Sequence, residues 1–504
     1  MNYGKVILVG AGPGDEGLLT IKGKSWIERA DVVVYDHLAN SSITRHAKAE
    51  AELIYVGKKS GSFVFSQEKI NQLLVDLAKE GKTVVRLKGG DPFIFGRGGE
   101  EVQALKNEKI SFIIVPGVTS PVGVSAYAGI PLTHRDFAST ISIVTGSVGN
   151  APDSIPIDWE ELAKWPGTLV FLMGARKLKS IAENLIRYGK KPDTPIAVIQ
   201  WGTLPKQKTW TSVLGKIAET LEKEVIKPPA LTIVGDVVKL KDTLDWYETF
   251  PLFGKNILVT RPEEQSEGFR ELLLEKGANP ISFPVIQTYP PESWNSLDTA
   301  IKKLDSYHGL IFTSVNGVRY FIDRLHYLDK DIRELKGVRL YAIGPKTAKA
   351  VCDLGIKVDV VPEAYVAESL LESLGKEPLE GKRFLLPRAA IARETLPTEL
   401  RKSGAEIDVA PAYQTLSPKS IDPEVLRKVR AGEIDAITFT ASSTVTNFVE
   451  LVGKESLPAL KKAVIACIGP ITAKTAENHG LIPTVIPEKY TVDSLTIALE
   501  NYYT

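Results

Sequence analysis

Residues 86–101 read RLKGGDPFIFGRGGEE, and five of the sixteen are glycine: Gly89, Gly90, Gly96, Gly98 and Gly99. A backbone without Cβ lets a ligand approach closely, and phosphate is the usual one. Asp91, at the first bend, would repel a phosphate. The stretch opens on the end of the strand-like run TVVRL (83–87) and leads to Val102 and Leu105 at helical spacing. It divides into three pieces: a turn, Gly89-Gly90-Asp91, suited to a cationic group; Arg97, suited to an anion; and a helix start at Gly98, Gly99, Glu100 and Glu101.

The rest of the first half alternates in the same manner. KVILVG, DVVVYD, TVVRLKGG, SFIIVPG, STISIVTG, TLVFLMG, PIAVIQWG and ALTIVGDVV are strand-like runs, most of them ending in Gly. GPGDEG (12–17) fits G-x-G-x-x-G after a strand, with Asp36 closing the next one, which is nearly the dinucleotide fingerprint. Two residues argue against it. Pro13 removes a backbone donor, and Asp15 puts negative charge where a pyrophosphate would sit, although it is well placed as an N-cap. From Ile110 to Thr133 no residue is charged, a length that could span a bilayer. Pro116, Pro121 and Pro131, with Gly117, Gly123 and Gly129, prevent one continuous helix there.

The chain has 504 residues, 62 basic against 61 acidic, 43% apolar and 24% charged. This is an ordinary globular composition with no global pull toward nucleic acid or anionic membrane. Cys352 and Cys467 lie in apolar-leaning stretches without metal-ligand spacing and read as reduced, structural thiols. The start, MNYGKVILVGAG, passes straight into a strand, and a cytoplasmic setting is expected.

The second half repeats itself. VTRPEEQ around Arg261 returns as LPRAAIA around Arg388, KGANPISFPVIQT (276–288) as SGAEIDVAPAYQT (403–415), and LIFTSVNGV as AITFTASSTV, all offset by 127 residues. AIGPKTAKAV (342–351) returns as CIGPITAKTA (467–476), offset by 125, so a short loop deletion separates the copies. Each copy alternates strands and helices, which predicts a doubly wound parallel sheet with ligands beyond the carboxyl ends of its strands. Thr313-Ser314, Gly344-Pro345, Thr440-Ala441 and Gly469-Pro470 fall at those ends. LDWYETFPLFGKN (244–256) separates the halves, with Pro251 and Gly254 as breakers.

VGAGPGD (9–15), VVYDHL (33–38), VGK (56–58), the 86–101 block, VPGVTS (115–120) and AYAGIPLTHRD (126–136) occur in one order. Together they resemble the uroporphyrinogen-III C-methyltransferases of the tetrapyrrole methylase family. The second half, through its repeat, FTSVNGV and IGPKTAK, resembles uroporphyrinogen-III synthase. The resemblance implies an α/β chain: a two-lobed methylase at 1–248 (lobes about 1–114 and 115–248), then a synthase at 255–504. The synthase would have one lobe of about 255–288 plus 414–504 and a second of about 289–413.

It also implies a bifunctional enzyme. The second half would be a cyclising lyase that closes hydroxymethylbilane to uroporphyrinogen III with inversion of ring D. The first would methylate that product at C-2 and C-7 with S-adenosylmethionine, releasing S-adenosylhomocysteine and giving precorrin-2 toward cobalamin or sirohaem. Cofactor contacts carry over to Pro13, Gly89, Gly90, Asp91, Ile94, Thr119, Ser120, Met173, Gly202 and Ala230. Asp36 and Lys58 match the family's proton acceptor and donor; their plainer readings are an Asx turn and a solvated turn lysine. The substrate carries eight carboxylates, for which Arg45, Arg97, His134 and Arg135 are candidates against capping and surface roles. His37 stands where many relatives have Arg.

In the second half Tyr413 matches a cleft tyrosine implicated as the acid for the leaving hydroxyl. The first copy has Ile286 there, so the fold does not require tyrosine. Ser314, Thr347 and Thr472 could donate to substrate carboxylates or simply cap helices. No metal is implied, nor a nucleic-acid or membrane partner; relatives of the first half are dimers, so a homodimer is expected through it. Two rival readings stand beside this one: a nicotinamide-dependent dehydrogenase resting on GPGDEG, and a second half that only scaffolds.

Overall fold

The computed structural model describes residues 3–57, 65–146, 157–362, 378–392, 394–418 and 421–504. The chain divides into two compact units, Met1–Asn256 with Leu272–Asn279 and Glu500–Thr504, and Ile257–Glu271 with Pro280–Leu499.

In the first unit, β1 (Lys5–Gly10), β2 (Val32–Tyr35), β3 (Glu52–Tyr55), β4 (Thr83–Lys88) and β5 (Ser111–Val115) form an all-parallel sheet in the order β3-β2-β4-β1-β5. Val6, Leu8 and Val84 pack on one face with Leu74 and Leu105, while Ile7, Val9, Val85 and Leu87 pack on the other with Ile27 and Ile43. Burial on both faces is why these strands read as unbroken apolar runs. A second sheet holds β6 (Ile141–Thr145), β7 (Thr168–Leu172), β8 (Pro195–Gln200), β9 (Lys208–Val213) and β10 (Ala230–Val234), ordered β6-β7-β10-β8-β9. Only β6 and β7 run parallel in it.

β3 and β9 have no counterpart among the apolar runs of the sequence. Both are edge strands whose side chains are exposed or half-buried, so pairing with one neighbour defines them rather than a hydrophobic signal. The uncharged run 110–133 contains β5 and the helix Ser120–Tyr127, which begins with a proline in its first turn. Among the described residues no helix is long and apolar enough to cross a membrane.

The repeat accounts for the remaining ten strands. These are β11 (Asn256–Val259), β12 (Asn279–Ser282), β13 (Gln287–Tyr289), β14 (Gly309–Phe312), β15 (Arg339–Ala342), β16 (Arg383–Ala389), β17 (Glu406–Leu416), β18 (Ala436–Phe439), β19 (Val464–Cys467) and β20 (Pro483–Val485). They form two sheets, β12-β11-β18-β19-β20 and β13-β17-β16-β14-β15. The 127-residue offset carries β11 onto β16, β12 onto the start of β17, and β14 onto β18. The 125-residue offset carries β15 onto β19, and β20 onto residues ending at Val360, which bridges in parallel to Tyr341. Each sheet thus joins the first part of one copy to the second part of the other, and both share one strand order.

The two crossing segments pair antiparallel, with Thr288 opposite Thr415, residues equivalent by the same offset. A local twofold therefore passes between the two QT pairs. One core packs around Phe312, Phe321 and Leu385, the other around Phe439, Phe448 and Leu258. Cys467 is buried in the second of these, its thiol pushed up to about 12 by desolvation. Cys352 is not a core thiol: it ends an amphipathic helix and is exposed.

Candidate active site

A cavity of about 670 Å³ opens in the first unit where the carboxyl ends of β1, β2, β4, β7 and β8 and the start of β10 come together. Its volume suits a small-molecule ligand. Pro13, Gly89, Gly90, Asp91, Ile94, Thr119, Ser120, Met173, Gly202 and Ala230 all line it, as do Asp36 and Arg97. Loops far apart in sequence meet because the parallel strands of the first sheet and β7 and β8 of the second end here, where β10, antiparallel to both, begins.

The glycines serve more than one purpose. A Cβ on Gly89 would lie 2.7 Å from the Leu38 backbone oxygen, and one on Gly96 or Gly98 would lie 2.6 or 2.4 Å from that of Pro92. These three permit chain-to-chain contact, and Gly89 also lines the cavity. Gly90 is different. Its φ is +66°, the nearest atom to an added Cβ is 3.6 Å away, and its backbone exchanges hydrogen bonds of 3.2 and 2.7 Å with Gly12. Phe95, Arg97 and Met173 also hold positive φ at the cavity wall. Such backbone strain in non-glycine residues collects at ligand sites.

The GPGDEG loop offers no phosphate cradle. Gly12 N–H donates to Gly90, Asp15 N–H to Thr203 Oγ1 at 2.9 Å, and Gly17 N–H to Asp15 Oδ1 at 2.8 Å. Asp15 also accepts the Tyr127 hydroxyl at 2.6 Å. Three of the loop's N–H donors are engaged and the carboxylate is fixed, which argues against the dinucleotide reading.

Asp91 suits a cationic ligand group. Phe93 N–H donates to its Oδ1 at 2.8 Å and Gly117 N–H to its Oδ2 at 3.1 Å. Each oxygen keeps a further lone pair for an ammonium. Ile94, Val124, Leu172, Met173, Ile199 and Leu231 supply apolar wall for a purine and for the carbon atoms around a sulfur. The set fits S-adenosylmethionine: one carboxylate, one glycine turn open to the cavity, and apolar surface.

Asp36 forms the turn of its plainer reading and also lines the cavity. Its Oδ1 accepts Leu38 N–H at 3.0 Å, an Asx turn, while its Oδ2 accepts Arg86 Nη2 at 2.8 Å inside the cavity. Lys58 lies outside the described residues. Arg45 does not reach the cavity lining; it pairs with Glu16 at 2.5 Å. His134 and Arg135 do not line it either: His134 Nδ1 accepts Asp136 N–H at 3.2 Å within a local turn. Arg97 lines the cavity at a helix N-cap and holds Glu100 through two bonds of 2.9 and 2.6 Å.

The sequence reading missed Gln67, Arg86, Lys88, Arg176 and Lys177, which also line the cavity. A signal for two of them was present. Arg86 and Lys88 stand two apart in an apolar strand, hence on one face of it. Both are buried, against a fully buried Glu101. Burial, then the neighbouring Arg86 charge, push the Lys88 ammonium below its ordinary value, with Glu101 opposing them.

In the second unit Ser314 caps the helix Val315–Tyr327, accepting Gly317 N–H at 3.0 Å. Its hydroxyl lies 3.1 Å from that of Tyr413, whose ring stacks on Tyr320 at 5.6 Å. The structure therefore brings Ser314 and Tyr413 together. Thr347 and Thr472 are buried in the first turns of Pro345–Cys352 and Pro470–Asn478, and neither caps its helix.

A family model described as Tetrapyrrole (Corrin/Porphyrin) Methylases matches residues 5–218, and one described as Uroporphyrinogen-III synthase HemD matches residues 267–497. The chain is 38% identical over 495 residues to the Porphyrin biosynthesis protein HemD of Ruminiclostridium josui, covering 98% of this chain and 97% of that one. It is 41% identical to the Uroporphyrinogen-III C-methyltransferase of Bacillus subtilis (strain 168), over 66% of this chain and 68% of the relative. It is 51% identical to the S-adenosyl-L-methionine-dependent uroporphyrinogen III methyltransferase of Methanosarcina barkeri (strain Fusaro / DSM 804), over 48% of this chain and 95% of the relative. With both halves matched in order and one relative matched almost end to end, the chain belongs to the family of porphyrin-biosynthesis proteins that join a tetrapyrrole methylase to a uroporphyrinogen-III synthase.

Proposed function

We propose that the second unit closes hydroxymethylbilane to uroporphyrinogen III with inversion of ring D, and that the first unit methylates this product at C-2 and C-7 to give precorrin-2, toward cobalamin or sirohaem. The observation that carries the methyl-transfer reading is the shared cavity of the ten cofactor residues, drawn from loops between Pro13 and Ala230. Bound S-adenosylmethionine supplies a methyl group on a cationic sulfur. Asp91 holds the ammonium, and Gly90, Thr119 and Ser120 meet the polar groups with their backbone. Ile94 and Met173 cover the apolar parts.

Five cations, Arg86, Lys88, Arg97, Arg176 and Lys177, line the cavity against two carboxylates, Asp36 and Asp91. Arg86 and Lys88 are held by Asp36 and Glu101, and Arg97 by Glu100, so Arg176 and Lys177 are the lining cations left to meet a polycarboxylate macrocycle. A porphyrinogen ring carbon is already an enamine-like nucleophile, so the protein's work is orientation and removal of the displaced proton, which Asp36 accepts. Lys58 is the proton donor by resemblance. In the second unit Tyr413 donates to the departing hydroxyl, oriented by Ser314, and Thr347 and Thr472 meet carboxylates at helix starts. By the same resemblance the chain is a homodimer through its first unit. Two unpaired cysteines suit a reducing, cytoplasmic setting.

The test supplies hydroxymethylbilane and methyl-labelled S-adenosylmethionine to the purified chain. Labelled precorrin-2 is expected without added synthase. Label appearing only when uroporphyrinogen III is supplied directly would reject the cyclisation reading. Tyr413→Phe keeps the stacking on Tyr320 and removes one proton donor. It is expected to slow ring closure by about 10²-fold, the lower end of general-acid effects, and to raise the share of uncatalysed isomer in the product. An unchanged rate and isomer ratio would remove Tyr413 from the acid role.

A further inference from the structure

The charges around Asp36 form an ordered array that neither the sequence reading nor the family comparison assigns a role. Arg86 is held on three sides: Nη2 to Asp36 Oδ2 at 2.8 Å, Nη1 to the Leu87 carbonyl at 2.9 Å, and Nε to Glu101 Oε1 at 3.3 Å. Glu101 Oε1 also accepts Lys88 Nζ at 2.8 Å and Gln67 Nε2 at 3.2 Å, while its Oε2 is buried with no hydrogen-bond partner.

A network built only for stability would use both oxygens, because a buried unpaired oxygen costs free energy. The fold itself does not ask for charge here. Val84, on the same face of β4, is fully buried among Val32, Val34 and Leu74. The charged residues occupy the cavity end of that strand. Their common result is at Asp36, where Leu38 N–H takes one oxygen and Arg86 the other, so the carboxylate plane is fixed. Tyr55 and Lys88 also feel the Asp36 charge.

We propose that Arg86 is a positioning residue for proton acceptance at Asp36, its guanidinium plane set in turn by Glu101. This rests on the methyl-transfer reading, in which Asp36 accepts the proton. Arginine suits the task because its rigid fork reaches two carboxylates at fixed angles and it stays charged throughout.

The experiment is a double-mutant cycle on the full chain, reading kcat for methylation of supplied uroporphyrinogen III and cofactor affinity by calorimetry. Arg86→Gln is expected to lower kcat about 10²-fold, the scale of a small misplacement of a reacting group, with the cofactor Kd changed less than about threefold. Combined with Asp36→Asn it is expected to add almost nothing, because it acts through Asp36. Where Arg86→Gln alone fails to fold, Arg86→Gln with Glu101→Gln removes one charge of each sign and takes its place in the cycle.

Losses that multiply in the combined variant would overturn the proposal while leaving Asp36 in its role. A normal kcat in Arg86→Gln would do the same. A normal kcat in Asp36→Asn would instead reject the reading on which the proposal rests, and the proposal with it.

Discussion

Asp36→Asn is expected to lower the rate of methyl transfer by about 10²–10⁴-fold, the range of a positioned general base, while cofactor affinity changes less than about threefold. The substitution is close to isosteric. An asparagine oxygen still accepts Leu38 N–H, which the carboxylate does at 3.0 Å, so the turn after β2 survives. The amide nitrogen then faces Arg86 Nη2, a donor now at 2.8 Å from Asp36 Oδ2, and that contact is lost. The cofactor's ammonium is assigned to Asp91, on a separate loop, so its binding is spared. Measured as kcat under saturating S-adenosylmethionine, with the Kd from calorimetry, the split between the two quantities is the informative result. A variant that turned over normally would show that the displaced proton leaves by another route. One that lost cofactor binding in proportion would show that the turn, and not the proton, was the casualty.

The parts of this site legible in the sequence are those whose geometry is local. Gly90, Asp91, Thr119 and Ser120 follow directly on strand ends, and a strand of known direction fixes which edge of the sheet they reach. What a long charged side chain does at that edge is a tertiary matter. Arg45 and Arg97 look alike in sequence, yet the first turns to Glu16 and the second lines the cavity. Arg86 and Lys88 went unread because they precede the glycine motif and resemble strand residues; only their spacing of two hinted at a shared charged face.

In the second unit Tyr413 was legible by contrast with Ile286, because duplication supplies its own comparison. The partner of its hydroxyl, Ser314, lies 99 positions away and needed the fold. The edge strands β3 and β9 were silent for a related reason. Their order comes from hydrogen bonds to a neighbour, and a single chain segment carries no record of its neighbour.

The second large effect concerns backbone packing, and Gly117→Ala isolates it. An added Cβ at Gly117 would lie 2.3 Å from the Gly90 carbonyl oxygen and 2.7 Å from Gly10 Cα, and one at Gly10 would lie 2.5 Å from Gly117 Cα. All of these neighbours are backbone, so no rotamer change relieves the contact. The ends of β1, β4 and β5 would have to separate, at a cost of about 3 kcal/mol, the upper part of the usual range for overpacking. At roughly 2–4 °C per kcal/mol for a domain of this size, the melting transition of the first unit should fall by about 6–12 °C.

Gly99→Ala is the matched control. Gly99 is exposed in the first turn of the helix Gly98–Asn107, and nothing lies within 4 Å of its added Cβ. There alanine should stabilise by up to about 1 kcal/mol, the difference in helix propensity. Gly117→Ala should also weaken cofactor binding, because the displaced carbonyl belongs to Gly90, whose turn faces the cavity, and because Gly117 N–H holds Asp91. Melting measured with and without S-adenosylhomocysteine separates the two effects: a ligand that binds only the folded unit raises its melting temperature by an amount that grows with the logarithm of its concentration over Kd. The ligand-induced rise should shrink in Gly117→Ala and stay at the wild-type value in Gly99→Ala. A full rise in Gly117→Ala would mean that the three strand ends set stability alone and that the cofactor turn is held by other contacts.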